Sequence, residues 1–266
     1  MKIDLLKKLR EKNPLAYNIC NFVTVQDVCN GISAIGASPA ADVAEEELGE
    51  AEDLIKVCNS LTVNIGALIN PKIDNIAKII NFANKYHKPV VLDPVAVGAS
   101  NSRKKRTESL LKQNKIAVIR GNSGEIATLA GIKWTTKGID AGEGSADRVE
   151  MAQKLAEKYH CVVAESGKTD IITDGKEVTK IFNQTDLFKL HIGSGDMLSS
   201  IIGCFCGIEN NYFEAARVGA LVFAIAGEIA ANLVKKRLPG TFAAKLIDEL
   251  YLINKEKIKK YAKFTS

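Results

Sequence analysis

No stretch of about eighteen consecutive apolar residues occurs in this chain, so no membrane-spanning helix is expected. The nearest approach, Ala215 to Leu233, is interrupted by Arg217 and Glu228, which suits a helix buried in protein better than one in lipid. The cysteines, at positions 20, 29, 58, 161, 204 and 206, lack the paired spacing of a zinc site. A chain of 266 residues also needs no disulfide staples, so they read as small buried hydrophobes. Charge of one sign is scarce as well: 36 Lys and Arg against 31 Asp and Glu leave a net charge of +5. Basic residues cluster at Arg103-Lys104-Lys105-Arg106 and Lys235-Lys236-Arg237, near the ends of expected helices. A nucleic-acid surface would need a continuous basic face with interleaved aromatics, and none is expected. The N-terminal segment Met1 to Leu6 has no apolar stretch followed by a small-residue cleavage site, so a cytoplasmic protein is expected. Linkers, low-complexity segments and internal repeats are missing too, and residues 1–266 read as one domain.

What the chain does contain is a recurrence of short apolar, β-branched runs: Leu61 to Leu68, Pro89 to Val95, Ile116 to Arg120 and Cys161 to Glu165. Segments with helical spacing separate them, such as Ile73, Ile76, Ala77 and Ile80, or Ala152, Leu155, Ala156 and Tyr159. Strands alternating with helix-length segments imply an α/β fold whose mostly parallel sheet is covered on both faces. Beyond Ser166-Gly167, the runs Thr169 to Thr173 and Val178 to Phe182 flank Asp174-Gly175, which predicts an antiparallel hairpin at the sheet edge. From Gly193 the pattern is helical nearly to the end, and Ala243, Leu246, Ile247 and Leu250 form the apolar stripe of the last helix.

Ligands of open parallel sheets bind at the carboxyl ends of the strands. There the runs end in Asp93-Pro94, in Arg120-Gly121-Asn122 and in Glu165-Ser166-Gly167. The sharpest signal is Gly193-Ser194-Gly195-Asp196, directly before the apolar Met197-Leu198 and Ile201-Ile202. Two glycines allow close backbone approach, and the amides opening a helix attract an anion such as a transferring phosphoryl group. A carboxylate beside that anion would repel it unless it accepted the proton of an attacking alcohol, which makes Asp196 the candidate base. The plainer alternative is that Asp196 caps the helix. Asn122-Ser123-Gly124-Glu125 is a second cluster. Glu125 can hold Mg²⁺ directly or through water, or close a capping box with Asn122, and one side chain can do both. Arg120 offers a bidentate guanidinium to phosphate oxygens.

These segments resemble the N-x-x-E and G-x-G-D motifs of ribokinase-like kinases. Within that superfamily the chain is similar to the hydroxyethylthiazole kinase family, roughly from Asn13 to Gly207, through Asn18-Ile19-Cys20-Asn21, Asn64-Ile65-Gly66, Val91-Leu92-Asp93-Pro94-Val95, Ile119-Arg120-Gly121-Asn122 and Gly36-Ala37-Ser38-Pro39 with the acidic Glu45-Glu46-Glu47 behind it. The resemblance implies a ribokinase-like fold and ATP-dependent phosphorylation of the hydroxyl of 4-methyl-5-(2-hydroxyethyl)thiazole. It also implies that Arg120 and Ser166 bind the ATP phosphates, with Asn21 and Gly195 nearby. Asp93 and Glu125 would position Mg²⁺, while Gly193 and Ala41 would lie on the substrate side. Family members are homotrimers with the thiazole site between subunits, which would set Gly36 to Ala41 against a neighbour.

Four departures bear on that expectation. Asp196 stands where the family usually has Cys, and Ile192-Gly193-Ser194-Gly195 replaces Thr-Gly-Thr-Gly. Ala41 replaces the usual Met, and Tyr17 the His before the first Asn-Ile motif. The competing expectations are a related kinase acting on hydroxymethylpyrimidine or a pyridoxal-like alcohol, an ATP-dependent dehydratase of hydrated nicotinamide dinucleotides, and a non-catalytic nucleotide-binding protein.

Overall fold

The computed structural model describes residues 1–42, 48–66, 73–137, 140–143, 146–234 and 237–266. The acidic run Glu45-Glu46-Glu47, the far end of the Leu61 to Leu68 run and Lys235-Lys236 lie outside the described residues.

The strands are β1 (Leu15–Ile19), β2 (Ser38–Asp42), β3 (Ser60–Asn64), β4 (Val90–Asp93), β5 (Val118–Asn122), β6 (Thr135–Lys137), β7 (Asp140–Glu143), β8 (Val162–Ser166), β9 (Asp170–Thr173), β10 (Val178–Ile181) and β11 (Phe264–Thr265). Nine of them form one sheet in the order β11-β10-β9-β8-β5-β4-β3-β1-β2, and β6 pairs with β7 apart from it. From β2 to β8 the pairing is parallel, and β9, β10 and β11 continue antiparallel. The helices are α1 (Leu5–Lys12), α2 (Val25–Ile35), α3 (Leu48–Val57), α4 (Ile73–Lys85), α5 (Asn101–Gln113), α6 (Ser123–Ala130), α7 (Arg148–Tyr159), α8 (Ser194–Cys206), α9 (Tyr212–Leu233), α10 (Pro239–Leu252) and α11 (Lys255–Tyr261).

Two hydrophobic cores divide the strand residues by the two-residue period of the pleat. Val91, Val118 and Val162 join Ile32, Met197, Ile201, Phe205, Leu221 and Phe242 in one core. Leu92, Ile119 and Val163 join Ile76, Ile80, Leu110, Ile126 and Leu155 in the other. A sheet buried on both faces needs apolar residues at consecutive positions, which is why its strands read as unbroken runs. Helix α9 is long and apolar enough to span a bilayer by composition, yet 67% of its most apolar window is buried inside the protein. Its Arg217 donates through Nε to Glu214 Oε2 at 2.9 Å, so the charge sits in the interior with a partner one turn away.

The fold is the expected one, with three differences at the margins. Residues Leu15–Ile19 and Ser38–Asp42 are strands. Asn18 interrupts the apolar run of the first, and Pro39 lacks the N–H of a central strand. The second is tolerated because β2 lies at the sheet edge and pairs with β1. The Asp174-Gly175 hairpin forms with a longer loop: Thr173 pairs with Val178, and Asp174 Oδ1 accepts from the amides of Lys176 and Glu177 at 2.9 and 2.8 Å. The hairpin lies at the antiparallel edge of the sheet as expected, and one further short strand, β11, pairs outside β10.

Candidate active site at the start of helix α8

Gly193 is the N-cap of α8 with φ +96°, in the left-handed region that favours glycine. A β-carbon there would lie 2.9 Å from Thr24 Cγ2. The loop is tied back by Ser194, whose hydroxyl donates to the carbonyls of His191 and Phe188 at 2.7 and 3.1 Å. Asp196 therefore stands one turn into the helix and is not its cap. Its Oδ2 accepts a hydrogen bond from Thr24 Oγ1 at 2.5 Å.

Beside this turn lies a buried guanidinium. Arg120 Nη1 donates to Asp93 Oδ2 at 3.3 Å, and Nη2 donates to Ser166 Oγ. Strands β4, β5 and β8 are adjacent, so their carboxyl ends deliver Asp93, Arg120 and Ser166 to one place. A β-carbon on Gly195 would fall 2.5 Å from Arg120 Nη1, so the helix backbone rests directly on the guanidinium. Asp93 is fully buried and receives a second hydrogen bond, from Ser199 Oγ at 2.5 Å. Ser199 lies one turn along α8 from Asp196, so a single helix serves both carboxylates.

Burial pushes the Asp93 carboxyl up to about 7. Arg120 offsets part of that rise, and the negative charges of Asp196 and Glu125 add to it. Glu125 is likewise raised, mainly by burial, against the pull of Arg120 and two backbone amides. Those amides account for both of its oxygens: Ala96 N donates to Oε1 at 2.9 Å and Asn122 N to Oε2 at 2.8 Å. Asn122 Oδ1 accepts from Glu125 N at 3.0 Å, which completes the capping box. The cap fixes the carboxylate in place and leaves lone pairs on each oxygen.

Asp93 Oδ1 and Arg120 Nε are both buried and without a hydrogen-bond partner. Buried orphans of this kind call for an explanation, and a bound ion or water is one of them. Asp93 and Glu125 supply only oxygen donors, the type a magnesium ion prefers. Among the described residues no group of three or more His, Cys, Asp or Glu could hold a metal ion. That sparse set fits an ion carried by one or two carboxylates together with substrate phosphates.

The structure thus brings Arg120, Ser166, Asp93 and Gly195 together, with Gly193 and Asp196 joined to them through the loop and Thr24. Asn21 follows β1, where its Nδ2 lies 2.9 Å from the point a β-carbon on Gly66 would occupy. Its Oδ1 accepts from Val23 N at 3.0 Å and turns the chain toward Thr24. Ala41 is on the edge strand β2, half-buried, opposite Asn18 of β1. Thr24 and Ser199 were not candidates from sequence. A pair of serines inside the otherwise apolar run of α8 was the available signal for Ser199.

The model of the hydroxyethylthiazole kinase family matches residues 6–256. The hydroxyethylthiazole kinase of Lactiplantibacillus plantarum is 48% identical over 264 residues, covering 99% of each chain. The chain belongs to the hydroxyethylthiazole kinase family. Another member, from Levilactobacillus brevis, is 49% identical over 250 residues and covers 94% of each chain. The solved hydroxyethylthiazole kinase protein of Pyrococcus horikoshii OT3 superposes with a TM-score of 0.88 at 33% identity, over 99% of this chain and 97% of that one. The pyridoxal kinase of Bacillus subtilis, solved as an ADP complex, gives 0.59 at 15% identity, over 81% of this chain and 92% of that one, and shares the fold alone. Family membership makes this kinase a phosphotransferase and favours the thiazole alcohol over the pyridoxal-type, dehydratase and non-catalytic alternatives.

Proposed function

We propose that this family member transfers the γ-phosphate of ATP to the hydroxyl of 4-methyl-5-(2-hydroxyethyl)thiazole, with Asp196 as general base, in residues 1–266 acting as one kinase domain. The observation that carries the base assignment is the placement of Asp196: a carboxylate on the first turn of a glycine-opened helix whose backbone rests on Arg120.

The alcohol proton passes to Asp196 as the oxygen bonds to the γ-phosphorus, and the bond to the ADP oxygen breaks. In a loose transition state proton transfer comes late, so orientation of the carboxylate matters more than its basicity. The amides opening α8 face the charge on the migrating group, and Arg120 and Ser166 hold the phosphate chain. Asn21 completes the phosphate side, while Gly193 and Ala41 belong to the substrate side. Asp93 and Glu125 would hold Mg²⁺ through its waters, supplying charge neutralisation for the phosphates.

The same reading carries a cytoplasmic homotrimer with Gly36 to Ala41 against a neighbouring subunit. Phe22, Val23, Leu190 and Ile192 flank the loop that opens α8 and are 50%, 59%, 49% and 59% exposed, which supports an apolar covering there. A coupled ATP-consumption assay against hydroxyethylthiazole, hydroxymethylpyrimidine, pyridoxal and hydrated NADH tests the substrate, and turnover with hydroxyethylthiazole alone is expected. Asp196→Asn is expected to lower kcat by about 100-fold or more with ATP binding retained. Near-normal kcat in that variant would remove the base assignment.

A further inference from the structure

We propose that Thr24 is a positioning residue for phosphoryl transfer: its hydroxyl pins Asp196 through Oδ2 and leaves Oδ1 to take the proton of the alcohol. The proposal rests on the reading of Asp196 as base. Thr24 is the N-cap of α2, yet its side chain makes no capping bond. The single hydroxyl proton has two acceptors within reach, Asp196 Oδ2 at 2.5 Å and the Asn21 carbonyl at 3.4 Å, and the shorter, charge-assisted bond is the stronger. The other branch of the side chain packs against Gly193 in the space a β-carbon would fill. One buried threonine, 3% exposed, therefore holds both the loop that opens α8 and the carboxylate that follows it.

The bond answers a specific problem. Asp196 lies close enough to Asp93 to act on it electrostatically, and Gly195 beside it rests on the Arg120 guanidinium, toward which a free carboxylate would turn. Turned that way, its oxygens would compete with phosphate for Arg120 and face away from the alcohol. Thr24 supplies a competing donor at 2.5 Å. Because the bond connects α2 to α8 across 172 residues of chain, no local pattern announces it.

Thr24→Val keeps the branched shape and removes the donor. The expected result is a fall in kcat of about 10-fold, with KM for ATP and for the thiazole alcohol within about twofold of wild type. Thr24→Ser restores the hydroxyl and should recover kcat to within about threefold. In the Asp196→Asn background the valine substitution should add nothing, since the bond it removes serves Asp196. Should Thr24→Val fail to fold, Thr24→Ala against Thr24→Ser asks the same question, because those two differ by the hydroxyl alone. Equal kcat in the hydroxyl-bearing and hydroxyl-free variants overturns the proposal, as does a full, multiplicative loss in the Asp196→Asn background. A base that fails its own test is recognised separately: Asp196→Asn then keeps its kcat whatever stands at position 24, and the proposal falls with it.

Discussion

A β-carbon on residue 195 would stand 2.5 Å from Arg120 Nη1 and 3.0 Å from Nη2, so the helix that opens the site is seated on the guanidinium. A long side chain usually yields to such an intrusion, but this one is held at both ends of its fork by Asp93 and Ser166. Gly195→Ala should therefore displace either the first turn of α8 or Arg120. The expected outcome in steady-state kinetics is a loss of kcat/KM of about 100-fold, comparable to losing one oxyanion-hole donor.

Glu125 closes the capping box and, in the proposed reading, holds Mg²⁺, and two substitutions separate these tasks. Glu125→Gln keeps an acceptor for one of the two amides and loses the charge. Its melting temperature should fall modestly, one amide being left facing a donor, while the Mg²⁺ concentration for half-maximal activity rises by about 10-fold. Glu125→Ala leaves Asn122 N and Ala96 N without an acceptor, and should cost about 1–3 kcal/mol in chemical denaturation.

Asp93 makes folding stability depend on pH in a defined direction. Its carboxyl titrates near 7 in the folded protein and near 3.8 in the unfolded chain, so the folded state binds the extra proton in between. Its contribution is fully present below pH 3.8 and is lost as pH rises through 7, with a slope of up to about 1.4 kcal/mol per pH unit. Asp93→Asn abolishes that slope. In the presence of chelator, the melting temperature of the variant relative to wild type should rise steadily across that interval. A constant difference would show that Asp93 does not titrate there.

Gly227 of α9 faces Phe188, and a β-carbon would fall 2.0 Å from its Cζ. Phe188 has little freedom to withdraw, being stacked on Phe223 at 4.9 Å between centroids and edge-on to Phe242 at 5.7 Å. Gly227→Ala should overpack the core and lower the unfolding free energy by about 1–3 kcal/mol, measured by urea denaturation.

How far the residues announced themselves depended on the range of the interactions that place them. The parallel sheet was legible because Val90-Val91-Leu92 and Val162-Val163-Ala164 must be apolar on both faces wherever they sit. The capping box of Asn122 and Glu125 was legible because its partners are three positions apart. Strand β2 was not, since Ser38-Pro39-Ala40-Ala41-Asp42 becomes a strand only by pairing with β1 at an edge that spares the proline.

By itself the amino-acid sequence determined the α/β layering, the glycine-flanked opening of α8 at Gly193 to Asp196 and the family motifs. Each of these depends on residues that are neighbours in the chain or repeat with a fixed period. Only the tertiary structure decided that Asp196 is held by Thr24, that Ser199 and Arg120 share one oxygen of Asp93, and that Gly195 must lack a side chain to seat α8 on Arg120. Those relations join elements dozens to more than a hundred residues apart, where the geometry is set by sheet order and helix packing and leaves no local trace.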